Sequence, residues 1–568
     1  MARVAGIGKQ DFEKVRVSNN FYVDKTHFIR EWWEAEDDVT LITRPRRFGK
    51  TLNMSMLEKF FSVEYAGRGD LFEGLSIWEE EKYRRLQGTY PVVFLSFASV
   101  KETNYVSARR KICQLIADEY SKRAFLLEEG GLLEGEKETF LRKNIDMEDV
   151  EATLALHQLA LYLSRYYGKK VIILLDEYDT PMQEAYVNGY WQEMVGFIRS
   201  LFNATFKTNP YLERAVMTGI TRVSKESIFS DLNNLRVVTS TSEKYADCFG
   251  FTEGEVFAAL EEYGMAEKKG KVKEWYDGFT FGSVTDIYNP WSIINYLNEK
   301  KVGTYWANTS SNSLVGKLIR QGSPEIKMTM EGLLRGESFH TVIDEQIMFS
   351  QLDVEGEHSG GDEAVWSMLL ASGYLKVMRY EYNEEYQRAE YELKLTNLEV
   401  QAMFRQMING WFGRCRGVSN GFLRALLAGD VESMNEYMNA ISCEMFSSFD
   451  TGKGTAGKSE PERFYHGFVL GLMVELSDRY VVTSNRESGF GRYDVMLEPR
   501  KESMDAYILE FKSVRESRGE TLEAAVQAAL GQIEKKQYEA ALTAKGIPAG
   551  RIRKYGFAFL GKEVLIGG

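Results

Sequence analysis

The sequence predicts an α/β protein of several domains, and three observations support this. Its 568 residues suggest three or four domains at about 150 residues each. Hydrophobic residues make up 44% and charged residues 27%, with only 9 prolines, as in folded and fairly helical proteins. Through residues 1–230, short apolar runs rich in β-branched residues alternate with helical patterns. This alternation is typical of a parallel sheet covered by helices.

Four apolar runs are predicted strands of that sheet: residues 39–43, 91–97, 171–175 and 214–218. The run at 171–175, VIILL, is apolar at every position, which predicts a central strand covered by helices on both faces. The loop after Leu175 is then expected at the carboxyl edge of the sheet, where ligands bind in such folds.

Composition divides the rest of the chain. Residues 1–238 form the predicted sheet domain, and the aromatic-rich residues 239–320 are a predicted helical lid whose rings form core rather than a base-stacking platform. Residues 321–450 contain a predicted helix, a hairpin and further helical periods, which is compatible with a helical or winged-helix-like region. The Gly, Ser and Pro content of residues 451–462 predicts a linker that opens a last domain, 451–568.

Charge and special residues exclude several classes of protein. The net charge of −13 argues against a uniformly basic surface, so contact with a polyanion requires local basic clusters such as residues 551–554. The four cysteines share no CxxC or Cys/His spacing, and no HExxH pair occurs, so spacing supports neither a disulfide framework nor a zinc site. No run approaches about 18 consecutive apolar residues. We therefore expect no membrane partner and a cytoplasmic location.

The first candidate site follows the strand predicted at 39–43. The sequence RPRRFGKT at 44–51 precedes an amphipathic helical pattern, so strand, loop, Gly-Lys-Thr and helix occur in P-loop order. Backbone amides at Gly49 would hold phosphate oxygens, Lys50 would reach the β- and γ-phosphates, and the Thr51 hydroxyl would bind Mg²⁺. Arg44 occupies the position of the first motif glycine, so GxxxxGKT is incomplete, and a basic turn that caps the helix is the alternative.

A second element supports nucleotide binding. The strand VIILL runs directly into Asp176 and Glu177, a pattern that places one carboxylate near Mg²⁺ and another where it can activate water. The alternative is that these carboxylates cap the following helix. Thr218 ends another predicted strand as a polar sensor, and Arg222 in the next loop is a predicted contact of the γ-phosphate. ATP and Mg²⁺, or Mn²⁺, are the predicted ligands.

A second candidate site lies near the carboxyl end. Residues 484–497 and 506–512 are predicted to be two strands joined by a polar turn, with Glu510 and Lys512 on one face because they are two residues apart. Asp494 lies in the middle of the preceding strand. A buried carboxylate there requires compensation, and a divalent metal supplies it. The alternative is an edge hairpin with solvated charges.

Several motifs together identify a family. The segments FYVDKTHFI, TRPRRFGKT, ILLDEYD, TGITRVSKESIFSDLNNL, WYDGFTFG, YNPWSI and YWANTSSN closely resemble the bacterial AAA-ATPase-like family that carries a C-terminal PD-(D/E)XK nuclease domain. The resemblance covers nearly the whole chain and is weakest over residues 320–450. It implies a P-loop NTPase sheet with a helical lid and a C-terminal restriction-endonuclease-like α/β domain. Arg44 belongs to the RPRRFGK signature of that family.

The resemblance also implies roles for individual residues. Asp494 and Glu510 match the two metal-binding carboxylates for Mg²⁺ or Mn²⁺, and Lys512 matches the lysine that orients the attacking water. Glu462, in preference to Glu475, would complete the metal ligands. The auxiliary QxxxxxY element is matched by Gln532 and Tyr538. The Asp24-Lys25-Thr26 segment either packs near the nucleotide or caps a helix through Asp24.

The sequence therefore predicts an ATP-binding and ATP-hydrolysing protein whose metal-dependent nuclease domain cleaves phosphodiester bonds of nucleic acid, with DNA as the favoured substrate. The alternative is an ATP-driven regulatory switch whose last domain binds nucleic acid or a partner without cleavage. Assembly into a homo-oligomer is compatible with either function.

Overall fold

The computed structural model describes most of the chain as two compact units. It describes residues 2–128, 132–221, 229, 232–306, 313–344, 361–384, 388–411, 416–449, 468, 471–472, 474–488, 491–514, 520–560 and 563–568. One unit comprises Met1–Ser311 and His340–Val400, and the other comprises Asn312–Phe339 and Gln401–Gly568. The linker predicted at 451–462 lies outside the described residues.

Helices and strands alternate in the first 300 residues. The helices are α1 Phe12–Val17, α2 His27–Glu34, α3 Lys50–Phe61, α4 Glu81–Leu86, α5 Tyr105–Ser121, α6 Glu134–Leu141, α7 Asp149–Tyr167, α8 Thr180–Asn188, α9 Trp191–Phe206, α10 Glu253–Glu262, α11 Lys269–Tyr276 and α12 Pro290–Glu299. The strands are β1 Val39–Thr43, β2 Val92–Ser96, β3 Val171–Asp176, β4 Leu212–Gly219, β5 Leu235–Val238, β6 Phe251–Thr252, β7 Asp277–Phe281 and β8 Val284–Tyr288.

The later part of the chain contains more helix and a second large sheet. The helices are α13 Ser313–Gln321, α14 Pro324–Arg335, α15 Gly361–Ala371, α16 Leu398–Trp411, α17 Arg416–Ala428, α18 Val431–Phe449, α19 Leu522–Lys536 and α20 Ala540–Ala544. The strands are β9 Phe339–Val342, β10 Leu375–Asn383, β11 Arg388–Leu395, β12 Tyr480–Ser488, β13 Gly491–Pro499, β14 Ala506–Ser513, β15 Ile552–Leu560 and β16 Glu563–Gly567.

The first sheet is parallel, with strand order β2-β3-β4-β1-β5. All four predicted strands are present, and β3 is an interior strand, although β4 rather than β3 is the middle one. Ile42 is opposite Thr218, and Leu175 is opposite Met217. The carboxyl ends of β1, β3 and β4 therefore lie side by side.

Both faces of this sheet are buried, as the apolar run in β3 predicts. Ile172 and Leu174 point to the face that packs on Trp32 of α2 and Phe60 of α3. Ile173 on the opposite face is also buried. Because every position of β3 is buried, its polar end at Asp176 is held firmly at the sheet edge.

Residues 239–320 contain more than helices. Besides α10–α12, the segment forms a small antiparallel sheet with strand order β6-β8-β7. The aromatic side chains of this segment that are buried are Tyr245, Phe249, Phe251, Tyr276, Phe279, Phe281, Tyr288, Tyr296 and Trp306. The prediction that these rings form core is confirmed for them.

The hairpin predicted within residues 321–450 is also present. Helix α15 precedes it, and β10 pairs with β11 in antiparallel fashion, with β9 on the other side of β11.

No helix within the described residues combines the length and apolar character that a membrane crossing requires.

The second large sheet has strand order β12-β13-β14-β15-β16. Strands β14 and β15 are parallel and are connected through α19, while the other neighbours are antiparallel. The prediction of one strand over 484–497 is wrong, because Ser488 pairs with Gly491 and the segment spans the end of β12 and the start of β13.

Helix α18 covers the last strand of this sheet. The Asn435 side chain donates to the Ile566 carbonyl and accepts from its amide, at 2.9 and 2.8 Å. Asn439 makes the same pair of bonds with Val564, at 2.7 and 2.9 Å. The two amide side chains thereby satisfy backbone groups that an edge strand otherwise leaves unpaired.

Candidate functional site

The loop between β1 and α3 has the backbone of a phosphate-binding loop. Gly49 precedes the first residue of α3 and has a φ of 82°, and Arg47 has a φ of 66°. Left-handed residues within a turn arrange successive backbone amides into an anion-binding concavity, and the helix N-terminus adds to its positive potential. Glycine adopts this conformation without the penalty of a Cβ atom.

Lys50, the first residue of α3, directs its side chain back into this loop. Its side chain is buried, and Nζ donates to the carbonyls of Arg44 at 2.9 Å and Pro45 at 2.8 Å. Burial lowers the pKa of Lys50, and the charges of Glu177 and Asp176 oppose that effect. The ammonium group is thus placed where a phosphate bound by the loop would meet it.

Arg44 has a structural role that explains the missing first glycine. Its buried guanidinium donates to the carbonyls of Thr239 at 2.6 Å and Tyr245 at 3.2 Å and lies 4.4 Å from the ring centroid of Phe281. Burial lowers the pKa of Arg44 to about 10. Its side chain therefore anchors the start of the loop to neighbouring segments.

Asp176 joins the ends of three elements. Its carboxylate accepts from the Thr51 hydroxyl at 2.7 Å and from the Thr218 hydroxyl. Burial raises the pKa of Asp176, and both hydroxyl bonds oppose that shift. The adjacent hydroxyl and carboxylate oxygens fit Mg²⁺, which prefers oxygen ligands. The helix-capping alternative is wrong for Asp176, because its carboxylate bonds lead to Thr51 and Thr218.

Glu177 occupies a sharp turn at the end of β3. It is a non-glycine residue with a φ of 51°, and its carboxylate accepts from the Thr180 hydroxyl at 3.2 Å. Such left-handed backbone costs on the order of 1–3 kcal/mol and is typical of functional turns. The turn keeps a second, half-buried carboxylate next to Asp176.

The second candidate site lies on the middle strand of the C-terminal sheet. Asp494 on β13 accepts from the backbone amide of Phe511 on β14 at 2.7 Å. Lys512 donates to Glu510 Oε1 at 2.9 Å, so these two side chains share a face as predicted. The edge-hairpin alternative is wrong, because β13 and β14 are interior strands and Glu510 is only 1% exposed.

Both carboxylates of this site have raised pKa values. Burial, followed by the neighbouring charge of Asp494, raises the pKa of Glu510 to about 7. Burial also raises the pKa of Asp494, although the Phe511 amide opposes that shift. Glu510 Oε2 is buried and has no hydrogen-bond partner among the described residues. A buried, unpaired carboxylate oxygen beside a second carboxylate fits a divalent cation.

Comparison with known proteins gives two family matches. Residues 6–229 match the family model described as predicted AAA-ATPase, and residues 460–567 match that of the PD-(D/E)XK nuclease superfamily. The chain therefore combines an AAA-ATPase-like domain with a PD-(D/E)XK nuclease superfamily domain. An uncharacterized protein in the vnfD 5′ region of Azotobacter chroococcum mcd 1 is 25% identical over 407 residues, which cover 71% of this chain and 69% of that protein.

In the nuclease-superfamily domain, Lys512 begins a chain of side-chain hydrogen bonds. Lys512 Nζ donates to Gln532 Oε1 at 2.8 Å, and Gln532 Nε2 donates to the Tyr538 hydroxyl at 2.9 Å. Gln532 lies on α19 and Tyr538 follows its end. Glu462 lies outside the described residues, and Glu475 is exposed.

The AAA-ATPase-like domain contains a residue that sequence reasoning missed. Asp179 is buried and accepts from the backbone amides of Ile220 at 2.9 Å and Thr221 at 3.1 Å. It therefore fixes the loop that follows β4, while Arg222 lies outside the described residues. The sequence signal that could have identified Asp179 is its position as the third acidic residue of DEYD, residues 176–179.

The Asp24-Lys25-Thr26 segment of this domain organises a helix start. Asp24 accepts from the amides of Thr26 at 2.8 Å and Ser76 at 2.7 Å, and Lys25 pairs with Glu255 at 2.7 Å. The N-cap of α2 is Thr26, without a side-chain cap hydrogen bond, so the alternative that Asp24 caps this helix is wrong, and Asp24 instead connects Thr26 with Ser76.

Proposed function

We propose that this protein binds and hydrolyses ATP at the loop of residues 44–51 and cleaves nucleic acid, with DNA favoured, at the Asp494-Glu510-Lys512 cluster. Both reactions would use Mg²⁺ or Mn²⁺. We place both activities in the cytoplasm. The Asp494-Glu510 pair on β13 and β14 carries the proposal, because Glu510 Oε2 is buried without a hydrogen-bond partner among the described residues and a divalent cation would balance its charge. The hydrogen bond from Thr51 to Asp176 supports the nucleotide half.

At the nucleotide site, each residue has a distinct task. Lys50 would exchange its carbonyl partners for β- and γ-phosphate oxygens, and Thr51 with Asp176 would hold the metal ion. Glu177 would orient the attacking water and accept its proton, since its carboxylate lies next to Asp176 on a fixed turn. Thr218 keeps the Asp176 carboxylate oriented.

At the nuclease site, Asp494 and Glu510 would hold the metal ion. Once bound, such an ion polarises the phosphodiester and lowers the pKa of a coordinated water. Lys512 uses two of its three ammonium donors on Glu510 and Gln532. The remaining donor can orient the water or stabilise charge on the phosphate.

The nuclease half is tested by incubating the pure chain with Mn²⁺ or Mg²⁺ and labelled single-stranded DNA, duplex DNA and RNA, with and without ATP. We expect Asp494→Ala and Glu510→Ala to lose metal binding and cleavage together, while Lys512→Ala keeps the metal and loses most of the rate. Lys545→Ala, which removes an exposed lysine of the same domain, is the control and should cleave normally. Cleavage that survives all three substitutions contradicts the proposal.

The ATPase half is tested with Glu177→Gln. This substitution keeps the shape of the side chain but removes its proton acceptor, so ATP should bind with unchanged affinity and remain unhydrolysed. Equal phosphate release by the variant and the wild-type chain would show that Glu177 is not the catalytic base.

A further inference from the structure

A second set of metal-type ligands lies outside both proposed sites. His27, Glu31, Asp247 and Cys248 each offer one ligand atom, and these atoms all lie within 4.8 Å of one another. His27 Nε2 is 3.5 Å from Asp247 Oδ1. Cys248 Sγ is 3.7 Å from Glu31 Oε2 and 3.9 Å from Asp247 Oδ1. Ligand atoms around a tetrahedral zinc ion, with bonds of about 2.0–2.3 Å, are separated by about 3.3–3.8 Å.

The fold brings these four residues together from two distant segments. His27 and Glu31 are four residues apart on α2 and therefore point to the same side of that helix. Asp247 and Cys248 lie between β5 and β6, about 220 residues later in the chain. Cys/His spacing in the sequence gives no sign of such a site, which is why that criterion failed to detect it.

The cluster extends from a buried thiol to the protein surface, since His27 and Glu31 are half-buried and Asp247 is exposed. Cys248 is fully buried, yet its sulfur faces two carboxylates. His27 Nε2 is a buried ring nitrogen without a hydrogen-bond partner in the described part of the chain. The nearby ammonium group of Lys25 is directed to Glu255 and to the Asp247 carbonyl. A thiol, an imidazole and two carboxylates converge on one small volume, and a soft divalent ion is the ligand they share.

We propose that His27, Glu31, Asp247 and Cys248 bind a zinc ion. The set provides one nitrogen, one sulfur and two oxygen ligands, which are all donor types that zinc accepts. Four protein ligands close a tetrahedral site and leave no position for substrate. The zinc is therefore structural, separate from the metal ions of ATP hydrolysis and of nucleic acid cleavage.

The position of the cluster gives the zinc a defined mechanical role. The Cys248 carbonyl accepts from the Asn53 side chain of α3 at 2.9 Å, and Gly250 donates to the Phe48 carbonyl at 3.3 Å. The segment that carries two zinc ligands thus also holds the phosphate loop and its helix. Zinc would connect this segment to α2. Because the segment contacts Phe48 and Asn53, the zinc ion would also stabilise the loop and helix of the proposed nucleotide site.

The test uses the full chain with Asp494→Ala as its background, so that metal at the nuclease site does not contribute. Elemental analysis after zinc loading and desalting should find about one zinc ion per chain. Cys248→Ser and His27→Ala should reduce that content at least tenfold. Cys113→Ala, which removes the other described free cysteine, should leave it unchanged.

Cobalt substitution keeps the proposal testable if those variants fail to fold. Co²⁺ in the Asp494→Ala chain should produce a thiolate-to-cobalt charge-transfer band and the intense visible bands of tetrahedral cobalt, and zinc should abolish both. Chelation should also lower the unfolding temperature of this chain. Substoichiometric zinc after loading, or cobalt spectra without a thiolate band, would overturn the proposal while leaving the nuclease and ATPase assignments intact.

Discussion

Two cations, Arg44 and Lys50, lie at opposite ends of the loop that follows β1. Arg44 directs its guanidinium to backbone carbonyls of a neighbouring segment, whereas Lys50 directs its ammonium to the carbonyls of the loop itself. Arg44 thus has a structural role. Of the two cations, Lys50 is the one whose carbonyl partners, on the loop itself, a bound phosphate can replace. A charged phosphate attracts an ammonium group more strongly than neutral carbonyls do.

Lys50→Ala should therefore abolish ATP binding, with a loss of affinity on the order of 100-fold or more. Lys82→Ala is the matched control, because it removes an exposed lysine from the same compact unit and should bind ATP normally. Isothermal titration calorimetry measures both. Wild-type affinity in Lys50→Ala would remove the P-loop assignment.

Glu510 gives the nuclease site a pH dependence. Its folded pKa of about 7 lies above the ordinary value of 4.5, and a metal ion binds the ionised form. As pH falls from 8 to 6, protons compete increasingly with the metal, so Mn²⁺ affinity should fall by up to about tenfold per pH unit below pH 7. Calorimetry at pH 6, 7 and 8 measures this. Constant affinity across that range would show that Glu510 does not bind the metal.

At the scale of secondary structure elements, close packing of α19 on β15 supports the nuclease site. A Cβ atom at Gly556 would lie 2.8 Å from the Val526 carbonyl of α19. Helix α19 also carries Gln532, which contacts Lys512. The absence of a side chain at residue 556 therefore determines how closely this helix, with its Gln532 contact to Lys512, approaches the sheet.

Gly556→Ala should destabilise the chain by about 1–3 kcal/mol, because the Val526 carbonyl of α19 must move away from the added Cβ atom. Gly531→Ala is the matched control on α19, since it is exposed and a Cβ atom there meets nothing within 4 Å. That control should leave stability unchanged or raise it by up to about 1 kcal/mol through helix propensity. Denaturant titration followed by circular dichroism compares them, and equal stability of the two variants would contradict the packing argument.

Local patterns predicted most of the elements, and they failed where distant pairing decides the structure. Strand β1 has its predicted bounds, and the two-residue spacing placed Glu510 and Lys512 on one face. The hairpin of β12 and β13 was missed because a polar stretch with glycines can continue a strand or reverse it. Asp179 and the cluster around Cys248 depend on contacts across 41 and 217 residues, which no local spacing encodes.

At the scale of the whole molecule, the two proposed sites belong to separate compact units. The phosphate loop lies in the unit that contains Met1–Ser311, and the carboxylate pair lies in the unit that contains Gln401–Gly568. An unrestrained nuclease would damage the DNA of its host, which gives a reason for joining it to a nucleotide switch. A tether that only brings two activities to one target is the simpler alternative.

Coupling requires that ATP bind the cutting-competent state more tightly than the resting state, and that DNA tighten ATP binding by the same factor. We expect Mn²⁺-dependent cleavage rates to differ severalfold between the ATP-bound, ADP-bound and nucleotide-free chain. Because Glu177→Gln does not hydrolyse its ATP, this variant should keep the cleavage rate of the ATP-bound state. Cleavage assays in each state, with ATP titrations in the presence and absence of DNA, measure both quantities. Identical cleavage rates in all three nucleotide states, together with an ATP affinity that DNA does not change, would contradict coupling between the two sites.

The proposal that the buried carboxylate pair is a metal-dependent nuclease centre is tested most directly by Glu510→Gln. This substitution keeps the size of the side chain and an oxygen for Lys512 but removes the charge that a cation requires. With Mn²⁺ and labelled DNA, the wild-type chain should cleave and excess chelator should stop it, whereas the folded variant should be at least about 100-fold slower. Equal cleavage by Glu510→Gln, or wild-type cleavage in excess chelator, would contradict it.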